Sequence, residues 1–280
     1  GSLAAAWARV PLIVNAIAGL GYVFTNPSPF ARVLRPIVRG ALRFALNRPN
    51  ARLILQNPDD VKLFRDAALI DDRKVRLIMG SGVDTTRFYP SSSPVLAHEP
   101  IRVLLASRIL WDKGIGEFVE AARLLSAEGL PVRFRLAGSP DPANPASVPD
   151  AQIAAWVQEG LVEFLGKVAD MPTLLRETDI AVLPSYREGL PKSLIEAAAC
   201  GIPMVTTDVP GCREVVSDGE TGLLVPVRDA EALADAIRRL CSAPEWARDL
   251  GRAARERALR DFDERVVIAK TLAVYREGGL

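Results

Sequence analysis

From about residue 100 onward, short apolar runs alternate with longer stretches in which apolar side chains recur every three to four residues. The runs have the length of β-strands, and the longer stretches have the period of amphipathic helices. Strands are predicted at 101–106, 132–137, 162–165, 180–183, 204–206 and 222–225. Helices are predicted at 115–127, 150–159, 171–176, 193–200 and 230–240. This alternation predicts an α/β fold with a parallel sheet and helices on both faces.

The first hundred residues show the same alternation in a shorter form. Strands are predicted at 12–17, 53–55 and 75–78, and helices at 30–46 and 58–67. A polar, proline-bearing linker follows at 91–100. Three strands make a thin sheet, so we expect a partial N-terminal domain at 1–94, a second domain at 95–260 and a separate C-terminal helix at 261–280. The sequence therefore predicts that the chain is a fragment, because the N-terminal domain is shorter than the about 100–150 residues of a full domain.

Composition narrows the class of protein. The 280 residues are 49% hydrophobic and 25% charged, as is typical of soluble globular proteins. No apolar run approaches the length of a membrane-spanning helix, and the first residues lack a signal-peptide pattern. Three scattered cysteines without a C-x-x-C pair fit a reducing compartment. A cytoplasmic location is therefore predicted.

The net charge is +1, but it is unevenly distributed. Residues 1–58 contain seven Arg and no Lys, Asp or Glu, which indicates an anionic partner for this segment. Four of these arginines share one face of the predicted helix 30–46: Arg32, Arg35, Arg39 and Arg43. The opposite face is apolar: Val33, Leu34, Ile37, Val38, Ala41 and Phe44. The helix packs on its sheet with the arginines in water, or it lies peripherally on an anionic membrane. No nucleic-acid motif accompanies the stripe.

The strongest chemical signal is the stretch Glu188-Gly-Leu-Pro-Lys-Ser-Leu-Ile-Glu196, which follows the strand predicted at 180–183. Pro191 suits a first helical turn, and the free N–H groups of that turn can bind an anion. At 1.5 Å per residue the two carboxylates are about 12 Å apart along the helix axis, too far to share a proton. This spacing fits one long ligand with two hydroxyl-bearing ends and an anion between them, as in a nucleotide-sugar.

These residues resemble the EX7E signature of the retaining glycosyltransferases of family 4. The match continues in Ser107-Arg108-Ile-Leu-Trp-Asp-Lys113-Gly114, Gly138, Gly166-Lys-Val-Ala-Asp170 and Pro210-Gly211. Earlier stretches, among them Gly80-Ser-Gly82-Val-Asp84, resemble the branch that synthesises capsular polysaccharide and O-antigen. The resemblance covers nearly the whole chain. It implies the GT-B fold, in which two Rossmann-like domains face a cleft, with the N-terminal domain apparently truncated and the last helix returning to it.

The resemblance also implies an activity and its residues. The chain would move a hexose or HexNAc from a UDP-sugar to a lipid-linked saccharide, with a polyprenyl-diphosphate-linked acceptor as the expected partner. Glu188, Arg108 and Lys113 would act at the reacting sugar and the departing diphosphate. The donor would also contact Gly138, Val168, Gly189, Leu190, Pro191, Lys192, Ser193, Leu194 and Glu196. Gly19 and Gly21 would lie on the acceptor side, in the N-terminal acceptor domain.

Neither a metal nor a cofactor is predicted. Asp261-Phe-Asp263 fits a D-x-D pattern, but it stands between two helices, where capping the last helix is favoured. The resemblance likewise implies metal independence. His98, the single histidine, lies in the linker, and Ala16 and Ala18 stand where many relatives place a histidine. The departing phosphate would therefore accept the acceptor's proton.

Two alternatives remain open. A fragment could bind a nucleotide-sugar without turning it over. A UDP-HexNAc 2-epimerase shares the same architecture, but that class lacks the run from Glu188 to Pro203.

Overall fold

A computed structural model describes residues 1–17, 29–80, 82–93 and 95–278, without the side chains of 29–33 and 35. Its α-helices are α1 (Ser2–Trp7), α2 (Pro29–Leu46), α3 (Pro58–Asp66), α4 (Ile115–Ala127), α5 (Asp150–Gln158), α6 (Met171–Arg176), α7 (Lys192–Ala199), α8 (Ala230–Ser242), α9 (Pro244–Arg257) and α10 (Glu264–Arg276). Its strands are β1 (Ile13–Ile17), β2 (Ala51–Leu55), β3 (Val75–Leu77), β4 (Ile101–Ala106), β5 (Val132–Ala137), β6 (Glu163–Gly166), β7 (Ile180–Leu183), β8 (Met204–Thr207) and β9 (Leu223–Val225). Contacts divide the chain into two units, Gly1–Gly82 with Glu264–Leu280 and Val83–Asp263.

The first unit contains a parallel sheet in the order β1-β2-β3. Side chains alternate across β2, as the period of a strand requires. Leu53 and Leu55 pack with Phe64 of α3 on one face. Ile54 points to the other face and packs with Val267 and Val274 of α10. This sheet is therefore covered by helices on both sides.

The second unit contains a six-stranded parallel sheet in the order β6-β5-β4-β7-β8-β9. Counted within the unit, this is the doubly wound order 3-2-1-4-5-6, whose direction of winding reverses between β4 and β7. The core is aliphatic and aromatic, with Phe118 and Phe134 in edge-to-face contact at 4.9 Å between ring centroids. Ligands of such sheets bind beyond the carboxyl ends of the strands at the reversal point.

Most predicted elements are confirmed. For five of them both predicted ends match the observed ends: strands β4, β5 and β7 and helices α4 and α6. The α/β class and the parallel sheets are also confirmed. Helix α1 was not predicted, because its six residues are too few to show a period. Helix α9 ends at Arg257 and passes into a π-helical turn at Ala258–Phe262, whose two end residues are fully buried.

The contact division falls at Gly82, some residues before the predicted boundary at 94/95. The cause is a set of hydrogen bonds within the second unit. Arg255 of α9 donates to the carbonyl oxygens of Phe88 and Thr85 at 2.8 and 3.1 Å. Thr85 donates to the buried carboxylate of Asp263 at 2.5 Å. These bonds attach the chain after Gly82 to the second unit and extend that unit to Asp263.

Candidate functional site

The carboxyl ends of β4 and β7 carry an ion pair between two predicted site residues. Lys113 ends the 3-10 turn Trp111–Lys113 that follows β4, and Glu188 lies in the loop that follows β7. Their Nζ and Oε1 atoms are 2.5 Å apart, and the side chains are only 17% and 13% exposed. The structure therefore brings Lys113 and Glu188 together at the point where the winding of the sheet reverses.

The two loops are held together by their backbones. The N–H of Tyr186 donates to the carbonyl oxygen of Asp112 at 2.9 Å, and the Ser185 hydroxyl donates to the same oxygen at 3.1 Å. Gly114 has a φ of 71°, and a Cβ there would lie 2.2 Å from the carbonyl oxygen of Pro184. Only glycine permits this combination of left-handed backbone and close approach. The approach fixes Lys113 beside the Glu188 loop.

Arg108 follows β4 at the same edge of the sheet. Ser107 and Ile109 on either side of it donate backbone hydrogen bonds to the carbonyl oxygens of Ala137, which ends β5, and Ser139, each at 3.0 Å. The Arg108 side chain is 62% exposed, and its Nη1 lies 3.3 Å from Asp141 Oδ2. The sequence did not point to Asp141 as its partner. Arg108 thus lies at the predicted edge, with most of its side chain exposed.

Gly138 directly follows β5, next to this loop. Its φ is 143°, and a Cβ would lie 1.7 Å from the carbonyl oxygen of Ser107, so a side chain cannot fit. The Gly138 N–H donates to Gly166 at the end of β6 at 2.8 Å. The half-buried Val168 stands two residues further on. The three predicted positions after β4, β5 and β6 therefore share one edge.

Helix α7 begins at Lys192, directly after Pro191 in the N-cap position. Gly211, with a φ of 83°, backs the preceding loop: a Cβ there would lie 2.7 Å from the carbonyl oxygens of Glu188 and Gly189. The first turn of α7 presents N–H groups that the proline side chain cannot cap. Ser193 and the preceding Leu190 are half-buried, whereas the Leu194 side chain is buried, so only the backbone of Leu194 can contact a ligand.

Glu196 lies in the middle of α7, and its side chain is 13% exposed. Burial raises the pKa of the Glu196 carboxyl, while the charges of Lys192 and Arg87 act in the opposite direction. The Lys192 Nζ lies 3.6 Å from Glu196 Oε1 and is largely exposed. The two predicted carboxylates thus have separate cationic partners, Lys113 for Glu188 and Lys192 for Glu196.

A further cluster beside the Glu188 loop escaped the sequence analysis. The Tyr186 hydroxyl donates to Glu117 Oε1 at 2.7 Å, and Arg228 lies over the tyrosine ring at 4.6 Å. Burial, and then the bond to Glu117, raise the pKa of Tyr186 to about 12. Within the described residues, the buried Glu117 Oε2 has no hydrogen-bond partner. Only their positions in the sequence could have indicated this cluster: Tyr186 follows a strand, and Glu117 lies in the first turn of the helix after Lys113.

The residues weighed as metal ligands are engaged in other contacts. Asp261 pairs with Arg260 at 2.9 Å, and Asp263 accepts from Thr85 immediately before α10. His98 is 39% exposed and lies 3.5 Å from the buried Asp179. In the ranges that the structure describes, no three His, Cys, Asp or Glu side chains are grouped as metal ligands.

The remaining predicted residues belong to the first unit. Gly19 and Gly21 lie outside the described residues, as do the side chains of Arg32 and Arg35. Arg39 and Arg43 are exposed on α2, and Arg39 donates to the carbonyl oxygen of Ala67 at 2.9 Å. Two residues of the predicted apolar face of α2, Ile37 and Phe44, are 67% and 60% exposed. Leu42 and Leu46 of the same helix pack in the core of the first unit.

Comparison with known proteins agrees with this geometry. Residues 100–243 match the family model described as glycosyl transferases group 1. Over 98% of its length the chain is 29% identical to N,N'-diacetylbacillosaminyl-diphospho-undecaprenol alpha-1,3-N-acetylgalactosaminyltransferase of Campylobacter jejuni, and it covers 73% of that protein. Other curated relatives are covered over as little as 44% of their length.

Solved structures show the same fold. Sucrose-phosphate synthase of Thermosynechococcus elongatus superposes with a TM-score of 0.77 and 31% identity, over 94% of this chain and 67% of that one. Anabaena HepE, solved in complex with UDP, gives a TM-score of 0.79 at 24% identity, over 98% and 75% of the two chains. The expected GT-B class and the resemblance to family 4 are both confirmed. The chain belongs to the group 1 glycosyltransferases.

Proposed function

We propose that this chain carries the donor site of a retaining glycosyltransferase that moves a hexose or HexNAc from a UDP-sugar to a lipid-linked saccharide. The observation that carries the proposal is the Lys113–Glu188 pair, which lies at the reversal point of the sheet and precedes the open first turn of α7. A cation, a carboxylate and a helix N-terminus are the groups that a sugar diphosphate requires.

The donor would lie along this edge in an extended form. Its diphosphate would contact Arg108, Lys113 and the backbone N–H groups of Lys192 to Leu194. Lys113 has three ammonium donors, and one of them is used by Glu188, which leaves two for phosphate oxygens. Glu188 would accept a hydroxyl of the transferred sugar, and Glu196 a hydroxyl of the ribose. The backbone of Gly138 would contact the donor, and Val168 would lie beside the base.

The reaction would proceed on one face of the sugar. The acceptor oxygen forms the new bond to the anomeric carbon as the bond from that carbon to the β-phosphate oxygen breaks. The bonding electrons leave with UDP, and the acceptor's proton passes to the departing phosphate. Negative charge therefore grows on the phosphate, and fixed cations such as Lys113 and Arg108 stabilise it more in the transition state than in the ground state. This sequence needs neither a protein base nor a metal.

A lipid-linked acceptor is part of the proposal. The name of the Campylobacter jejuni relative specifies a diphospho-undecaprenol acceptor, which supports a polyprenyl-diphosphate-linked acceptor for this chain. Exposed Ile37 and Phe44 on α2, together with the exposed Arg39 and Arg43, support peripheral contact with an anionic membrane surface. Among the described helices, none has the length and apolar character needed to cross a bilayer.

A second candidate function is binding of the nucleotide-sugar without turnover. It is favoured by the partial coverage of the relatives, since the chain spans 73% of the Campylobacter jejuni protein and 44% of another relative. Product formation measured on this chain, and on a version extended to the length of its relatives, separates the two functions. Turnover by the extended version alone would assign this chain the donor-binding role.

Calorimetry with UDP, GDP and dTDP tests the donor site directly. We expect UDP to bind most tightly and Lys113→Gln to weaken its binding roughly tenfold or more, because a charge-assisted contact to phosphate is lost. Lys270→Gln, an exposed lysine of α10, is the matched control and should bind as the parent does. Tighter binding of GDP would overturn the choice of base, and equal loss in both variants would overturn the site.

A further inference from the structure

A cavity lies in the second unit, at the opposite end of α7 from the proposed donor site. Its volume is about 280 Å³. Cys200 and Gly201, which follow the last residue of α7, form one wall, and the linker residues Pro90 and Val95 form another. Three arginines of α9 complete it: Arg248, Arg252 and Arg255. None of these residues belongs to the proposed donor site.

The three arginines converge because of their spacing and because α9 is held close to α7. Positions 248, 252 and 255 are four and three residues apart, so their side chains share one face of the helix. Gly251 on α9 touches the end of α7: a Cβ there would lie 2.2 Å from the carbonyl oxygen of Gly201. Arg255 also donates to the carbonyl oxygen of Ala199, the last residue of α7. The cavity wall is thus rigidly built.

The positive charge of this face is only partly neutralised. Arg255 donates to the neutral carbonyl oxygens of Phe88, Thr85 and Ala199, and the Arg248 Nε donates to Val95 O at 3.1 Å. Within the described residues, Arg252 alone of the three has a carboxylate partner, the exposed Asp249 at 3.0 Å. Burial lowers the pKa of Arg255, while the nearby Cys200 and Asp263 act in the opposite direction.

We propose that this cavity is an anion-binding site for a small soluble phosphate monoester, separate from the donor site. The phosphate lies between Arg248 and Arg252, whose planar guanidinium groups can each offer two parallel N–H donors to phosphate oxygens. The apolar part of the molecule rests against Pro90 and Val95 inside the cavity. A monoester suits the site better than a carboxylate, because two guanidinium charges meet a ligand with up to two negative charges.

Calorimetry with phenyl phosphate, in the presence of saturating UDP, tests this site. Phenyl phosphate carries both the phosphate and an apolar ring, and UDP occupies the donor site. We expect binding to persist, and to be tighter than that of inorganic phosphate, which lacks the ring. Arg252→Gln should weaken binding about tenfold, since one charge-assisted contact is lost. Arg248→Gln/Arg252→Gln should reduce it below detection.

The matched control is Asp249→Asn, which removes the carboxylate beside Arg252 and should leave the affinity unchanged or higher. Arg255 is left intact because it holds three carbonyl oxygens, whereas the 70% exposed Arg252 can be replaced without disturbing the fold. Thermal unfolding of each variant checks this point. Competition between phenyl phosphate and UDP would overturn the separate site. If Arg252→Gln bound phenyl phosphate as tightly as the parent does, the proposed contact of Arg252 would be overturned. If the parent bound inorganic phosphate as tightly as phenyl phosphate, the proposed apolar contact would be overturned.

Discussion

At the scale of single residues, Glu188 and Glu196 are expected to fail in different ways when they are replaced. Glu188→Gln should lower kcat about 10²-fold, as when one preorganised group is removed, because its contact is to the reacting sugar. Glu196→Gln should instead raise KM and weaken UDP binding about tenfold or more, because a ribose contact is the same in ground and transition states. Steady-state kinetics of an active, extended version and calorimetry of this chain measure the two effects. Similar changes of both parameters in both variants would contradict the two-ended model.

The exposed Lys192 tunes the buried Glu196 carboxyl. Burial raises the pKa of Glu196, and Lys192 lowers it, so Lys192→Gln should raise that pKa further. A hydroxyl donates best to the ionised carboxylate, so UDP affinity falls as pH drops through the pKa of Glu196. The acidic limb of the affinity profile should therefore move to higher pH in the variant. Calorimetry between about pH 4 and pH 7 measures this, and an unmoved or lower midpoint would remove Glu196 from nucleotide binding.

At the scale of elements, the contact between the loops after β4 and β7 creates the Lys113–Glu188 pair. Gly114→Ala places a Cβ 2.2 Å from Pro184 O and should cost several kcal/mol of unfolding free energy, together with most of the UDP affinity. Gly129→Ala is a close control, because its φ of 73° matches the 71° of Gly114 while nothing lies within 4 Å of the added Cβ. It should cost only about 1 kcal/mol and bind UDP normally. Denaturant unfolding and calorimetry of both variants test this. Equal losses would mean that backbone strain alone accounts for the effect.

Helix α2 gives a second prediction at this scale. An anionic surface attracts each arginine near it with about 1 kcal/mol, so four of them favour peripheral binding. Vesicle flotation of the extended version should fall when Arg32, Arg35, Arg39 and Arg43 become Gln, and it should fall with added salt. Replacing Arg65 and Arg73 by Gln is the control, because these arginines of the same unit pair with Asp72 and Asp71. This variant should float as the parent does. Flotation that is equal for the parent and the variant, or absent from both, would assign α2 an ordinary packing role.

The sequence predicted the elements better than it predicted their faces. Strand and helix limits follow from local periodicity, which is why α4 and β4 were found with their ends. On α2 the same periodicity placed Ile37 and Phe44 on the apolar face without deciding what that face contacts, and both side chains are exposed. A helical period shows which side of a helix is apolar, but the surface packed against the helix decides which residues of that side are buried. On α2, Leu42 and Leu46 pack in the core of the first unit.

At the scale of the whole molecule, the C-terminal helix belongs to the first unit although it follows the second. Glu277 accepts from Arg52 at 2.5 Å and from Arg76 at 2.7 Å, which lowers the pKa of its carboxyl. α10 also covers Ile54 and Ile78 on one face of the three-stranded sheet. The second unit is continuous from Val83 to Asp263 and has its own core. We infer that the two units depend on α10 to different extents.

Truncation after Asp263 tests this inference. Backbone amides of β2 should lose most of their protection from hydrogen exchange, because the helix covering one face of the sheet is gone. Amides of β4 and β7 should keep theirs, and UDP should bind with similar affinity. Glu277→Gln is a milder variant, expected to loosen β2 and β3 only slightly, since exposed ion pairs contribute at most about 1 kcal/mol. Equal loss of protection in both sheets would show that the units fold as one.

The sequence by itself determined the α/β class, the positions of most strands, and the candidacy of Glu188, Glu196, Arg108 and Lys113. Each of these follows from short-range information: a hydrophobic period, a position after a strand, or a motif with fixed spacing. Only the tertiary structure placed Lys113 against Glu188, 75 residues further along the chain, and Arg108 against Asp141. It also assembled the arginines of α9 with Cys200 and the linker into a cavity. The physical reason is that sheet order and helix packing depend on which distant apolar faces fit together, and periodicity within one segment carries no record of its partner.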